Sequence, residues 1–422
     1  MAPGRDGRPI PRFAESFYTT DEGRTLRVRL RPNVKFHDGT PVTSALIADL
    51  VKADLPKSLG PAFADIENVR VVSDNEVEIT QKRASPFLAE ALDVAIEEPG
   101  APGVGTGPFA ASTTGQLDMT ANDAYYLGRP MIDRIVLRSY PTARAAWADM
   151  LRGQVDMLYE VALDARESLE ASSLVTVYTF PRPYAYVILL NARRQMWASR
   201  DVRKALNLAI DRPAVVRDAL NNHGTPDDGP VPPQHWAYRD TFPTFHYDPA
   251  SAAKLVNGRP RFKCIVAEGA VWERLALSVQ KQLAAIGVGM DIEALPLDQF
   301  SAAVTDGRFD AVLLDAHIGP NLFRSYQWWH SGGPLNAGKF SSTAVDAALD
   351  SIRYAPSDPE YASAALQFQR AMIDDPPAVF IAWSEGARAV SHRFIVPTEP
   401  GRDVWAALRL FKLAPDARAS RN

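Results

Sequence analysis

Leu26, Val28 and Leu30 alternate with Arg27, Arg29 and Arg31, the period-two pattern of a strand with one buried face. Pro32 ends it. Apolar stretches at 69–72 and 76–79 flank Ser73-Asp74-Asn75 and predict a hairpin. Thr43 stands where a helix N-cap belongs, ahead of a helix over 45–55. The first hundred residues therefore read as a small β-rich unit.

From Gly105 the texture changes. Gly105-Thr106-Gly107-Pro108 is turn chemistry leading into a strand at Phe109, and 132–139 predicts another strand. Thr142 opens a helix through Leu151, Gly153 stops it, and 155–159 returns as a strand. A buried strand over 184–190 leads to Asn191. Helices follow at 201–210 and 212–220, separated by Pro213 at a first helical position. Then come a strand at 261–267, a helix at 271–286, a strand at 288–294, a helix at 297–305 and a strand at 309–314. Two consecutive strand-helix-strand crossovers imply a largely parallel sheet. Ligands of such sheets sit beyond the carboxyl ends of the strands, which places a site in a loop over 315–329. After helices at 343–354 and 359–373, strands at 378–383 and 388–391 are expected to return to the earlier domain. One domain inserted into another gives a double-stranded hinge, and such hinges permit closure on a ligand.

Composition narrows the function classes. A chain of 422 residues, 46% hydrophobic and 23% charged, predicts two or three domains folded throughout. A net charge of −4 without a basic block argues against nucleic acid as a partner. Arg193, Arg194, Arg200, Arg203 and Lys204 read as a solvated helix start. The single cysteine, Cys264, rules out an intrachain disulfide. No segment approaches the ~20 apolar residues of a membrane span. Residues 1–11 lack the apolar stretch of a secretion signal, so the chain is read as cytoplasmic or as having lost its signal.

No catalytic constellation emerges. Gly103-Val104-Gly105-Thr106-Gly107 runs into Pro108 and reads as a turn rather than a phosphate loop. The string G-x-S-x-G of a serine nucleophile elbow is absent, and the seven histidines form no H-E-x-x-H pair. Asp227-Asp228 and Asp374-Asp375 read as solvated loop acids. No catalytic residue, cofactor or metal is expected. What stands out is aromatic: Arg324-Ser325-Tyr326-Gln327-Trp328-Trp329-His330, Tyr184 and Tyr186, and Trp383. Large amphipathic rings gathered in this way suit a ligand cleft.

Several strings resemble the extracellular solute-binding proteins of the peptide/nickel class that serve ABC importers. The most specific is Leu30-Arg31-Pro32-Asn33-Val34-Lys35-Phe36-His37-Asp38-Gly39-Thr40-Pro41-Val42-Thr43; PRFAESF at 11–17, GTGPF at 105–109 and VRKALNLAIDR at 202–212 add to it. The likeness covers roughly residues 9–412. It implies an α/β, two-lobed, periplasmic-binding-protein-like fold with a two-stranded hinge and an extra small β-rich subdomain. That subdomain would be 9–104, packed on lobe I; lobe I would be 105–187 plus 378–422, lacking its usual N-terminal strand; lobe II would be 188–377. His37 and Asp38 would be structural. The expected role is capture of a peptide or similar small solute by a monomer, with delivery to an ABC permease and its ATPases from the periplasmic or extracellular side. Rival readings are a ligand-presenting sensor for a chemoreceptor or kinase, and an exported hydrolase acting in the same cleft. The family's export signal, first strand and first helix would precede the region matching 10–16, which points to a shortened chain. Oligopeptide binders carry an aspartate where this sequence has Ala316, between Asp315 and His317. Tyr184, Tyr186, Asn191, Arg193, Asp315, His317, Arg324, Trp328, Trp329 and Trp383 are the candidate ligand-binding residues.

Overall fold

The computed structural model describes residues 1–112 and 118–415; the parts of the expected lobe I at 113–117 and 416–422 lie outside the described residues. The small β-rich unit is a four-stranded antiparallel sheet in the order β1-β2-β4-β3: β1 (Ala14–Thr20), β2 (Thr25–Leu30), β3 (Ile66–Ser73) and β4 (Glu76–Gln81). The alternation of β2 buries Leu26, Val28 and Leu30 in a common core with Ile47, Val51 and Leu55 of helix α1 (Ser44–Leu59). Thr43 caps α1, its hydroxyl accepting from the Leu46 amide at 3.2 Å. The Asp-Gly turn ahead of it closes with Gly39 at φ 94°, a left-handed angle that glycine adopts without steric cost. His37 is structural, as the resemblance implied: its Nδ1 accepts from the Gly105 amide at 3.3 Å, so Nε2 carries the proton and donates to the Gly107 carbonyl at 3.1 Å.

A short helix, α2 (Phe87–Ala91), ends this unit. The unit packs on two parts of the chain, the segment expected to form lobe I and the segment expected to form lobe II. Phe13 meets Tyr126 on the first side, while Phe87 packs edge-on against Phe323 and Tyr326 on the other. Next come a three-stranded sheet of β5 (Phe109–Ala111), β6 (Asp118–Ala121) and β7 (Arg134–Val136), then α3 (Ala143–Leu151), capped by Thr142 as the sequence predicts.

The main sheet has seven strands: β8 (Met157–Leu158), β9 (Val175–Leu190), β10 (Gly224–Pro226), β11 (Arg261–Ala267), β12 (Gly289–Leu295), β13 (Ala311–His317) and β14 (Ala378–Ser391). Helix α4 (Leu163–Glu170) precedes β9; α5 (Arg200–Leu208) and α6 (Arg212–Leu220) follow it. Helices α7 (Ala270–Ala285) and α8 (Leu297–Asp306) make the two predicted crossovers. The sheet is nonetheless not largely parallel: only β11 with β12 and β11 with β13 run parallel, and the other pairings are antiparallel. Strands 309–314 and 184–190 are far apart in sequence and carry no signal of relative direction, so only the local crossovers were legible.

Strands β9 and β14 are longer than expected and form one continuous ribbon. Residues 175–181 of β9 pair with 385–391, and residues 185–189 pair with 378–383, with register breaks between Pro181 and Ala185 and between Tyr186 and Val187. The predicted strands 378–383 and 388–391 are thus a single strand. Gly386 permits this close passage, because a Cβ there would lie 2.5 Å from the Phe180 ring. On one side of the break the ribbon packs with Met150, Leu158, Ala165 and Leu169; on the other it packs with Leu206, Val215, Leu275 and Val279. Two apolar cores joined by a kinked two-stranded ribbon is hinge geometry. Further helices include α9 (Leu322–Trp329), α10 (Thr343–Arg353) and α11 (Asp358–Asp374).

Candidate functional site

Antiparallel register decides which side chains meet. Tyr184 lies opposite His317 and Tyr186 opposite Asp315, so all of these project from one face of β9 and β13, immediately past the ribbon's break. Tyr184 and His317 stack at 4.7 Å and 15°. Arg182 belongs to the same face, its guanidinium 4.6 Å from the Tyr184 ring and 3.8 Å from the Asp315 carboxylate. Trp272, in the first turn of α7, meets Tyr186 edge-on at 5.6 Å.

The electrostatics suit a ligand with both charge signs. Burial raises the pKa of the Asp315 carboxyl; Arg182 opposes that, and the nearby Glu160, reaching from the other side of the hinge, adds to it. Burial, with Arg324 and Arg182 alongside, pushes His317 down to about 4, so its ring is neutral at pH 7. Among the described residues no three His, Cys, Asp or Glu side chains group as metal ligands.

Ala185 and Ala316 point the other way and are fully buried. An aspartate at 316 would therefore enter the core, and Asp315 is the acid on the face that carries Tyr184 and His317. Arg324, on α9, completes the edge of the site and pairs with Asp93 at 3.9 Å.

The other candidates are elsewhere. The segment 315–329 is no loop: strand β13 runs to His317, and α9 begins at Leu322. In α9, Leu322, Phe323, Tyr326 and Trp329 fall on the inward face, and Trp329 is 0% exposed, edge-on to Phe380 at 5.5 Å. Trp328 is half-buried against the same core. Trp383 is also core, its ring edge beneath Gly319 and Pro183 and its indole nitrogen sealed beside the Asp227 carboxyl. Asn191 and Arg193 stand at the far end of β9, about 16 Å of strand from Tyr186. There the Asn191 amide donates to the carbonyls of Gly307 at 3.1 Å and Phe309 at 2.7 Å, and its oxygen accepts from Arg193 Nε at 3.0 Å. Asn191→Ala is accordingly expected to lower stability by about 1–3 kcal/mol, measured by urea denaturation, with ligand affinity unchanged.

Two acidic and basic pairs also need correcting. Asp227 is buried rather than solvated, and Asp375 pairs with Arg203, itself 9% exposed and not part of a solvated helix start. Sequence reasoning missed Arg182, Trp272 and Glu160. Arg182 was reachable by alternation, two residues before Tyr184. Trp272 was reachable from its place at a helix start just beyond the carboxyl end of a strand.

Comparison with known proteins agrees with this architecture. Residues 8–338 match the family model described as bacterial extracellular solute-binding proteins, family 5, middle region. The glutathione-binding protein GsiB of Escherichia coli K12 is 28% identical over 323 residues, covering 69% of this chain and 62% of its own length. The structure of NikZ from Campylobacter jejuni, in complex with Ni(L-His), superposes with a TM-score of 0.84 at 19% identity, over 97% of this chain and 92% of that one. The oligopeptide-binding protein AppA of Bacillus subtilis, in complex with a nonapeptide, gives 0.82 at 22% identity, over 98% and 92%. The fold is thus the two-lobed one of periplasmic binding proteins, and the chain belongs to the family 5 extracellular solute-binding proteins.

Proposed function

We propose that this chain is the substrate-capturing component of an ABC importer, closing its lobes on a short peptide or similar zwitterionic solute and presenting it, unaltered, to a membrane permease with its ATPases. It would work on the periplasmic or extracellular side and act as a monomer. The expected division into 9–104, 105–187 with 378–422, and 188–377 is part of this reading. One observation carries it: the Tyr184–His317 stack, Arg182 and Asp315 share one face directly beside the break in the ribbon that joins the two cores. Groups so placed grip a guest when the lobes close and release it when they part, and the ligand's preference for the closed form supplies the driving force. A neutral imidazole and a tyrosine offer stacking surface, Asp315 and Glu160 suit an ammonium group, and Arg182 and Arg324 suit a carboxylate.

The test is a thermal-shift and calorimetric screen with reduced glutathione, alanine tri- and tetrapeptides, and nickel-histidine. A binder at 100 times its dissociation constant stabilises the protein by about 2.7 kcal/mol. Asp315→Asn and Tyr184→Ala are expected to weaken binding by tenfold or more while leaving the ligand-free melting temperature within a few degrees. Mass spectrometry of the recovered ligand is expected to find it unchanged. Absence of a shift with every probe, or chemical conversion of the bound one, would overturn the reading.

A further inference from the structure

Glu90 lies in α2 of the small β-rich unit and is buried. Its carboxyl group is used entirely by the other lobe: one oxygen accepts from the Phe323 amide at 3.0 Å, in the first turn of α9, and the other from the Tyr361 hydroxyl at 2.9 Å, on α11. The Asn321 side chain, which caps α9, donates back to the Glu90 carbonyl at 3.4 Å. Around this contact Phe87, Phe323 and Tyr326 form a dry aromatic seam. Asp65 makes a second clamp to the same lobe, accepting from Arg353 at 2.6 Å and Tyr354 at 2.7 Å. Helix α9 is continuous through a short turn with Asp315 and His317 of the cleft and itself carries Arg324.

We propose that Glu90 is a positioning residue through which the small β-rich unit holds α9, and with it the cleft segment 315–324, in its ligand-gripping place. The proposal rests on the cleft reading above for its functional consequence, but not for the grip itself. Burial raises the Glu90 carboxyl to about 7, opposed by the Phe323 amide and the Tyr361 hydroxyl. Released from the seam it ionises near its ordinary value, so the gripped form holds a proton that the released form loses. The grip is therefore full below about 4.5, weakens as pH rises towards about 7 and is weakest above it. Other ionisable groups face this seam. Arg324 pairs with Asp93 at 3.9 Å, and His235, pushed down to about 3 by burial, stacks on Tyr361. Arg8 acts on Tyr361 from a distance, and the Met1 ammonium, lowered by burial, donates to the Leu92 carbonyl at 2.9 Å.

Deuterium uptake over residues 321–329 of the whole chain, corrected for intrinsic exchange, tests the grip without any ligand. In the parent protein uptake is expected to rise several-fold between pH 5.5 and 8. Glu90→Gln, a neutral isostere, is expected to stay protected at both pH values, and Glu90→Ala to exchange fast at both. Glu90→Ala exchanging as slowly as the parent, Glu90→Gln behaving as Glu90→Ala, flat parent uptake, or a pH response surviving in Glu90→Gln would each overturn the proposal. Titration with reduced glutathione or tetra-alanine then separates the two readings. With a probe that binds, Glu90→Ala is expected to lose about tenfold in affinity, recovered in Glu90→Gln, and unchanged affinity would refute the link to the cleft. If no probe binds while the uptake pattern appears, the grip stands and the import reading falls.

Discussion

Replacing Trp329 by alanine is expected to destabilise the protein by about 3–5 kcal/mol, the cost of removing a large aromatic side chain from a closed core. Its ring is fully buried on α9 against Phe380 of the ribbon, so no solvent can fill the space it leaves. Tyr184→Ala is the contrasting case. Its ring is half-buried and stacked on His317 at the cleft, so the loss belongs to ligand affinity rather than to folding. Urea denaturation and ligand titration on both variants distinguish the two roles. A loss below about 1 kcal/mol in Trp329→Ala would mean that α9 is not packed as described.

That contrast also marks how far the sequence could be read. Tyr184, Tyr186, Asp315 and His317 fall together because period-two alternation is local, and two strands that pair in register bring their outward residues to one face. Reading 315–329 as a loop leaves Trp328 and Trp329 to a ligand, although Leu322, Phe323, Tyr326 and Trp329 repeat with helical spacing. Once α9 is a helix, the Trp329 ring belongs to its inward face and the Trp328 ring lies half-buried beside it. Asn191 and Arg193 lie apart from these residues for another reason: a strand has two ends, and only the tertiary path shows which one opens onto the hinge. The Glu90 contact joins residues more than two hundred positions apart, and nothing local in PFLAEAL at 86–92 announces it. Strands β2 to β4, α1, α7, α8, α10 and α11, by contrast, follow from caps, turns and amphipathic periods within each segment, and their predicted bounds fall within a few residues of those observed except at the far end of α1.

Arg212→Met is expected to cost about 3–5 kcal/mol, because it strips a buried hub of its donors. The guanidinium is 2% exposed and donates to the carbonyls of Phe380 at 3.0 Å and Asn207 at 3.3 Å and to the Asn207 side chain at 3.1 Å, tying α5 and α6 to the ribbon. Burial lowers it to about 10, against the pull of Asp227 and Asp228. Asp227, fully buried and donated to by the Gly229 amide at 3.2 Å, is pushed up to about 8 by burial, with Arg212 opposing. The folded chain thus keeps a proton on Asp227 that the unfolded chain sheds from about pH 4, so this acid makes stability fall as pH rises to about 8. His235 and His317, held down to about 3 and about 4, act in the opposite sense: the unfolded chain binds their protons below about 6.5 and the folded chain does not. The opposing slopes offset one another up to about pH 6.5; beyond it the histidines no longer change while Asp227 and Glu90 still do, and stability is expected to decline between about 6.5 and 8. Asp227→Asn is expected to flatten most of that decline in urea unfolding measured across the range. Arg212→Met removes the opposing cation and is expected to extend the decline to higher pH. An unchanged slope in Asp227→Asn would show that the carboxyl beneath the hinge does not hold its proton in the folded chain.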